Sequence, residues 1–259
     1  MHSFLKVAVF FLALWPLLAP ASSLFDPIPG DELRPFDADR PGFNDSPRTI
    51  DAGHYRVELG AFNYARQGFD SYSAASLEIG AGVFRALEFQ VLCDGLEWQG
   101  GGVAGIGDTT LRAKLALHGN NARGIAVGII PSVKIPSGVF GNHHAEEGFR
   151  VPFAASMPFG FSVSLMAEWD ERLNQSGSGF HPDYTGAVQI SHLAWSKVSL
   201  FSQYGVSAST DDGQTANASL GAGGTYRLSP GCQLDLGLNF GVSNAAPSVA
   251  AAAGFAFRY

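Results

Sequence analysis

The sequence predicts an all-β protein: a transmembrane, antiparallel, up-and-down β-barrel of about twelve strands. Three observations carry that expectation. From residue 53 onward, apolar residues alternate with polar or small ones at period 2, the signature of strands with two unlike faces. No Asp, Glu, Lys or Arg falls on the apolar set of those segments. The connections between segments alternate short and long, as they do in outer-membrane barrels.

Composition narrows the alternatives. The chain has 259 residues, of which 46% are hydrophobic, yet no apolar run past residue 20 reaches helix-spanning length. A membrane helix needs about 20 such residues in a row. Glycine (32) and phenylalanine (20) are abundant and charged residues are only 15%, which excludes a disordered chain. The formal net charge of −7 argues against nucleic acid as a partner, because phosphate binding needs a basic surface.

Residues 1–21 read as a secretory signal. His2 and Lys6 give a basic start, an apolar stretch follows, and Ala19-Pro20-Ala21 supplies a small-x-small cleavage pattern. The mature chain is expected to begin at Ser22, with both termini on the periplasmic side. Residues 22–52 are rich in Pro and Asp and show no period. They are expected to form an extended arm, either at the periplasmic mouth or tucked into the lumen.

Residues 53–259 are expected to be the barrel. Tyr55, Val57 and Leu59 open the first strand, opposite Arg56 and Glu58. Leu77, Ile79 and Val83 face away from Glu78 and Gly80, and Leu87, Phe89 and Val91 from Glu88 and Gln90. Leu111, Ala113 and Leu115 oppose Arg112 and Lys114; Ile125, Val127, Ile129 and Val133 oppose Gly128 and Lys134. Val151, Phe153 and Ala155 mark a shorter sixth strand. Phe161, Val163, Leu165 and Trp169 then oppose Ser162, Ser164 and Glu168. Tyr184, Val188 and Ile190 oppose Thr185 and Gln189; Val198, Leu200, Tyr204 and Val206 oppose Ser199 and Gln203. Ala218, Leu220 and Tyr226 oppose Ser219 and Thr225; Leu234, Leu236, Leu238 and Phe240 oppose Asp235 and Asn239. Val249, Ala251, Phe255, Phe257 and Tyr259 close the series opposite Arg258.

Alternation alone fits a soluble sandwich as well as a barrel. Charge placement and loops decide between them. A charge facing lipid at mid-depth costs about 2–4 kcal/mol, and every strand-borne charge in these segments avoids the apolar face. The connections at 84–86, 118–123, 158–160, 193–196 and 228–231 are short, whereas those around 64–72, 95–108, 136–149, 171–183 and 207–216 are mostly longer. Phe255, Phe257 and Tyr259 resemble the carboxy-terminal assembly signal of outer-membrane barrels, which implies the barrel-assembly machinery and outer-membrane lipid as partners. Pro131 removes a ladder hydrogen bond, so a bulge is expected there. Cys93 and Cys232 fall at opposite ends and are expected to be free.

Two stretches resemble a known family. ADRPGFNDSPRTIDAGHYRVELGAF (38–62) is similar to the opening of the outer-membrane transporter family named for the meta-pathway of phenol degradation. Asp39-Arg40-Pro41, Asp45-Ser46-Pro47 and Gly53-His54 stand in its motif places, with Asp45 where the family pattern has Glu. GDTTLRAKLALHGN (107–120) and IAVGIIPSVKIPSG (125–138) resemble its next strand pair. The resemblance implies a pore or transporter for small, often aromatic or hydrophobic compounds.

The inward face supplies the candidate lumen-lining residues: Arg56, Glu58, Glu88, Gln90, Arg112, Lys114, Lys134, Glu168, Gln189, Asp235, Asn239 and Arg258. Arg112, Lys114 and Lys134 form a basic stripe that Glu88 is expected to balance. One reading is a charged constriction that selects solutes. The other, which a narrow twelve-strand lumen favours, is an internal salt-bridge network. No cofactor or metal is expected: adjacent residues such as His143-His144 and Glu146-Glu147 rarely converge on one ion. No catalytic residues are assigned, because His192 and Ser196 lack an evident third member. QGGGVAGIGD lacks the Lys-Ser/Thr of a phosphate loop. The expected function is therefore a non-enzymatic outer-membrane channel for small organic solutes, with a closed structural or adhesin-like barrel as the alternative.

Overall fold

The computed structural model describes residues 22–99, 102–121, 124–139 and 143–259; the expected signal at 1–21 lies outside them. Fifteen strand segments form one antiparallel sheet whose last strand pairs with its first. They are β1 (Tyr55–Gln67), β2 (Phe69–Ala74), β3 (Ser76–Phe84), β4 (Leu87–Cys93), β5 (Leu96–Gln99), β6 (Val103–Ile106), β7 (Thr109–His118), β8 (Ile125–Ile135), β9 (Glu146–Ser156), β10 (Phe161–Leu173), β11 (Phe180–Trp195), β12 (Val198–Ser209), β13 (Asn217–Ser229), β14 (Cys232–Gly241) and β15 (Val249–Arg258). The β1–β15 pairing runs from Arg56↔Arg258 to Arg66↔Val249, so no strand edge is left open there.

Fifteen segments make twelve barrel strands, because three strands are each broken once. Gly60 pairs with Ser76 and, beyond a break, Asn63 pairs with Ser73 in the same register. Leu77 pairs with Cys93 and Ala74 with Leu96; Cys93 pairs with Thr109 and Leu96 with Ile106. So β2 continues β3, β5 continues β4, and β6 continues β7. The breaks fall on cross-strand neighbours: the β1 register shift between Gly60 and Phe62, Ala75 (φ 58°), Gly95 (φ 79°) and Gly107. Gly107 N–H donates to Gly95 O at 2.8 Å, tying two of them together. A single crease thus crosses four neighbouring strands.

The crease inverts the alternation. Below it the exposed apolar positions are odd-numbered: Tyr55, Ile79, Phe89, Val91 and Leu111. Above it Phe62, Tyr72, Leu96, Trp98 and Ile106 are exposed at even-numbered positions, with Phe69 at the start of β2 an odd-numbered exception. This is why 64–72 and 95–108 read as loops in the sequence.

Two further expectations are corrected. The pairing of β8 keeps one register past Pro131 on both sides, so no bulge forms there. The ladders instead lose rungs: Ala113 and Lys114 are skipped opposite Pro131 and Ile130, and Pro152 is skipped opposite Gly128. A missing N–H costs a hydrogen bond without requiring an extra residue. The shift in this region lies between Ala116 and His118. The sixth barrel strand begins at Glu146 rather than Val151, which places Arg150 on the inner face.

Large apolar side chains from Phe89 and Leu111 round to Leu236 and Phe240 are exposed on the outside. The exposed outward charges Glu147 and Glu171 stand beyond the stacked Phe149–Trp169 pair, at the long-loop end. Cys93 and Cys232 are free. No helix among the described residues is long and apolar enough to cross a membrane.

Candidate functional site

The interior is filled from one end by residues 34–51. Their Pro and Gly content prevents a regular element, so their backbone polar groups must find partners elsewhere. They find them on the inward faces of the strands. Asp39 and Arg40 each donate a backbone N–H to Glu58, both at 2.8 Å. Ile50 N–H donates to Glu88 at 2.8 Å, and Phe43 N–H to Gln203 Oε1 at 2.9 Å. The strands make room by glycine: a Cβ on Gly82 would stand 2.2 Å from the Asp51 carbonyl oxygen, and one on Gly205 2.9 Å from the Phe43 ring.

Asp39 is the centre of the charged contacts. It accepts from Lys114 Nζ at 2.6 and 2.7 Å and from Arg56 Nη2 at 2.5 Å. Arg56 also pairs with Glu78 and Glu88 at 2.8 Å each and with Glu58 at 3.1 Å. The Asp39, Glu58 and Glu78 carboxylates lie close enough together to hold a cation, and the Arg56 guanidinium supplies it. Burial pushes the Asp39 carboxyl up. The charges of Arg56 and Lys114, with the Lys114 and Ser46 hydrogen bonds, outweigh that and hold it well below the usual carboxylate range. Asp45 is likewise lowered: Arg150 and Arg112 overcome its burial.

Around this centre the other contacts radiate. Asp45 pairs with Arg150 at 2.8 Å and Arg112 at 3.5 Å, and Arg150 reaches Glu168 at 2.7 Å. Arg40 pairs with Asp235 at 3.0 Å. Asp51 joins Arg34 at 2.5 Å and Arg258 at 3.2 Å near the short-turn end. Gln90 donates to Asp39 at 3.1 Å. Gln203 donates to Asn239 at 2.8 Å.

The expected residues therefore divide. Arg56, Glu58, Glu88, Gln90, Arg112, Lys114, Glu168, Asp235 and Arg258 all meet the arm or an arm-bound side chain. Lys134 does not: it pairs with Asp108 and Glu146 higher up, where Arg172 joins Glu146 at 2.7 Å. Glu88 bonds to Arg56 and Ile50, and the stripe is balanced instead by Asp39, Asp45, Asp108 and Glu146. Sequence reasoning missed Arg150 because the sixth strand was started too late. It missed the arm acids because an aperiodic segment shows no face. The inner wall also carries buried Ile130, Met166 and Phe201, which alternation placed among polar neighbours.

Space remains on the long-loop side of the arm. One cavity of about 340 Å³ is floored by Phe43 and lined by Met166, Ala187 and Val206. Another, of about 370 Å³, is lined by Asn63, Ser71, Ser73 and Glu97. Asn239 and Ala250 border both. His192, the residue considered for hydrolysis, stacks on Phe161 with ring centroids 4.3 Å apart.

A closed barrel with an apolar exterior and a charged interior is the class of the outer-membrane barrels. The chain belongs to the MetA-pathway of phenol degradation family, whose model matches residues 38–259. Comparison with solved structures gives the same fold at low identity. An outer-membrane channel from Pseudomonas putida F1 is similar at 14% identity and TM-score 0.56, covering 80% of this chain and 93% of that one. The NanC porin is similar at 11% and 0.55, covering 78% and 98%. The KdgM porin, solved with oligogalacturonate, is similar at 10% and 0.54, with the same coverage. No curated protein matches the sequence.

Proposed function

We propose that this protein is an outer-membrane channel for small organic solutes, with residues 34–51 seated in the lumen as an arm that narrows the path. The observation that carries the reading is the space above the arm. Two cavities of about 340 and 370 Å³ share Asn239 and Ala250 inside a closed barrel whose outer face is apolar. That size suits one small molecule. Membership of the family supports passage of aromatic or hydrophobic compounds, and the P. putida relative is itself described as an outer-membrane channel. No step in this reading uses a nucleophile or a bound cofactor. The reading places the short turns in the periplasm, lipid around the belt, and Phe255, Phe257 and Tyr259 as the signal for barrel assembly.

The ion network favours one alternative, a closed structural barrel, because it fills much of the cross-section. Swelling of liposomes loaded with the purified protein separates the two. The channel reading expects small neutral solutes to enter faster than into protein-free liposomes, with longer oligosaccharides excluded. No acceleration with either the full chain or a chain lacking residues 22–52 overturns it.

A further inference from the structure

The inner wall continues beyond the cavity floored by Phe43. On β11, Ala187 and Thr185 line that cavity, and the next positions of the same parity toward the long loops are Asp183 and His181. Between β10 and β11 the chain turns through residues 174–179, where Gly177 (φ 75°) and Gly179 (φ 74°) take backbone conformations that suit glycine. Asn174 N–H donates to Gly179 O at 3.1 Å, and Gly177 N–H to Asn174 O at 2.9 Å. Asn174 Nδ2 donates to Ser178 O at 2.9 Å, which leaves its Oδ1 for His181 Nδ1 at 2.8 Å. The other ring nitrogen of His181, Nε2, stands 3.2 Å from Asp183 Oδ1.

Both ring nitrogens of His181 therefore face oxygens that can only accept. A neutral ring carries one N–H. If Nδ1 holds it, the Nε2 lone pair points at a carboxylate. If Nε2 holds it, the Asn174 oxygen loses its donor. Only the charged ring suits both. Asp183 needs that charge, because it lies directly across from Asp170 and like charges opposed on neighbouring strands repel. Asp170 is matched by Arg172 at 3.1 Å. Asp183 Oδ1 is buried without a hydrogen bond, and among the described residues its cationic neighbour is His181. The other groups around the ring are already engaged. Arg172, opposite His181 on β10, bonds Glu146 of β9 at 2.7 Å as well as Asp170. Asp211, on the β12–β13 connection, accepts the Gln175 N–H at 2.9 Å. His144, on the β8–β9 connection, meets the Phe180 ring edge-on with centroids 6.2 Å apart.

We propose that His181 is a proton-operated clasp on the loop at the long-loop entrance of the barrel: charged, it joins Asn174 to Asp183 and holds the 174–179 turn; neutral, it gives up one of the two and the turn loosens. The sign follows from linkage. The held turn keeps a proton that the loosened turn does not need, so it is favoured at low pH and lost as pH rises. Histidine is the side chain that changes charge between about pH 5 and 8, so the clasp answers to the pH of the medium at that end. That the clasp governs passage rests on the channel reading above; that it exists is tested separately.

The test is amide hydrogen exchange of the full protein in detergent at about pH 5.5 and about pH 7.5. It is read on peptides spanning residues 174–180 and corrected for the chemical exchange rate at each pH. The expected result is exchange slower by about tenfold or more at the lower pH. His181→Gln should remove the difference between the two conditions while leaving heat-modifiable gel migration, and hence the folded barrel, unchanged. Asp183→Asn keeps the side-chain shape and takes away the charge that His181 meets, so it should also diminish the difference and serves if His181→Gln fails to fold. His144→Gln leaves the clasp intact and should retain it. Equal protection at both pH values in the wild type, or a pH difference that survives in His181→Gln, overturns the clasp. A barrel whose turn responds to pH through His181 but passes no solute contradicts the channel and leaves the clasp standing. A barrel that passes solutes while its 174–179 turn exchanges alike at both pH values does the reverse.

Discussion

Asp39 shows what a single residue contributes. It stands on a segment with no secondary structure, yet it joins Lys114 on β7 to Arg56 on β1. Breaking a buried pair leaves the other charge uncompensated, at about 3–5 kcal/mol. Asp39→Asn should therefore loosen the arm. Cleavage by trypsin after Arg48 is expected to rise by about a hundredfold or more. Cleavage at the wild-type rate would contradict the contact. The pH dependence has a fixed sign. With the arm seated, the carboxyl lies below its free value, so its contribution is complete above the ordinary Asp value of about 3.9. It is lost as pH falls toward the lowered value. Arm release in wild type should rise on acidification below about pH 4, and Asp39→Asn should flatten that response. At this scale the sequence was legible on the strands and silent on the arm. Arg56, Glu58, Glu88 and Lys114 follow from parity, but the acids that neutralise them sit where no period exists to assign a face.

At the scale of elements, the alternation located twelve strands and their short turns, because lipid and lumen impose opposite chemistry on successive residues. It failed where that rule is locally reversed. The crease at Ala75, Gly95 and Gly107 switches exposed positions from odd to even, so a period-2 reading sees the alternation stop. Ala75 adopts φ 58°, a region that costs a residue with a Cβ about 1–2 kcal/mol. A β-branched side chain is worse there. Ala75→Val should lower the urea midpoint of the refolded barrel, whereas Ala75→Gly should not. A neutral Ala75→Val would contradict the crease. Gly205 makes a second test at this scale. Its missing Cβ accommodates Phe43, so Gly205→Leu should expose the arm to protease while the barrel keeps its heat-modifiable migration. Pro131 and Pro152 delete rungs without shifting register, because neighbouring pairs on both sides hold the strand in place.

The whole molecule combines an apolar outer belt, a closed ladder and an arm held by charge on one side and by neutral contacts on the other. The ladder and belt follow from the sequence pattern. The asymmetric seating does not, because it depends on which inward residues face which arm residues across the lumen. That asymmetry leaves the cavity floored by Phe43 on the β10–β13 side. Its most direct test is single-channel conductance in planar bilayers, comparing the wild-type chain with the Asp39→Asn, Asp45→Asn double variant, both verified as folded by heat-modifiable migration. The account predicts small discrete current steps for the wild type and larger or more frequent steps once the two acids that fasten the arm are neutralised. Folded, inserted barrels that carry no current in either form would contradict it.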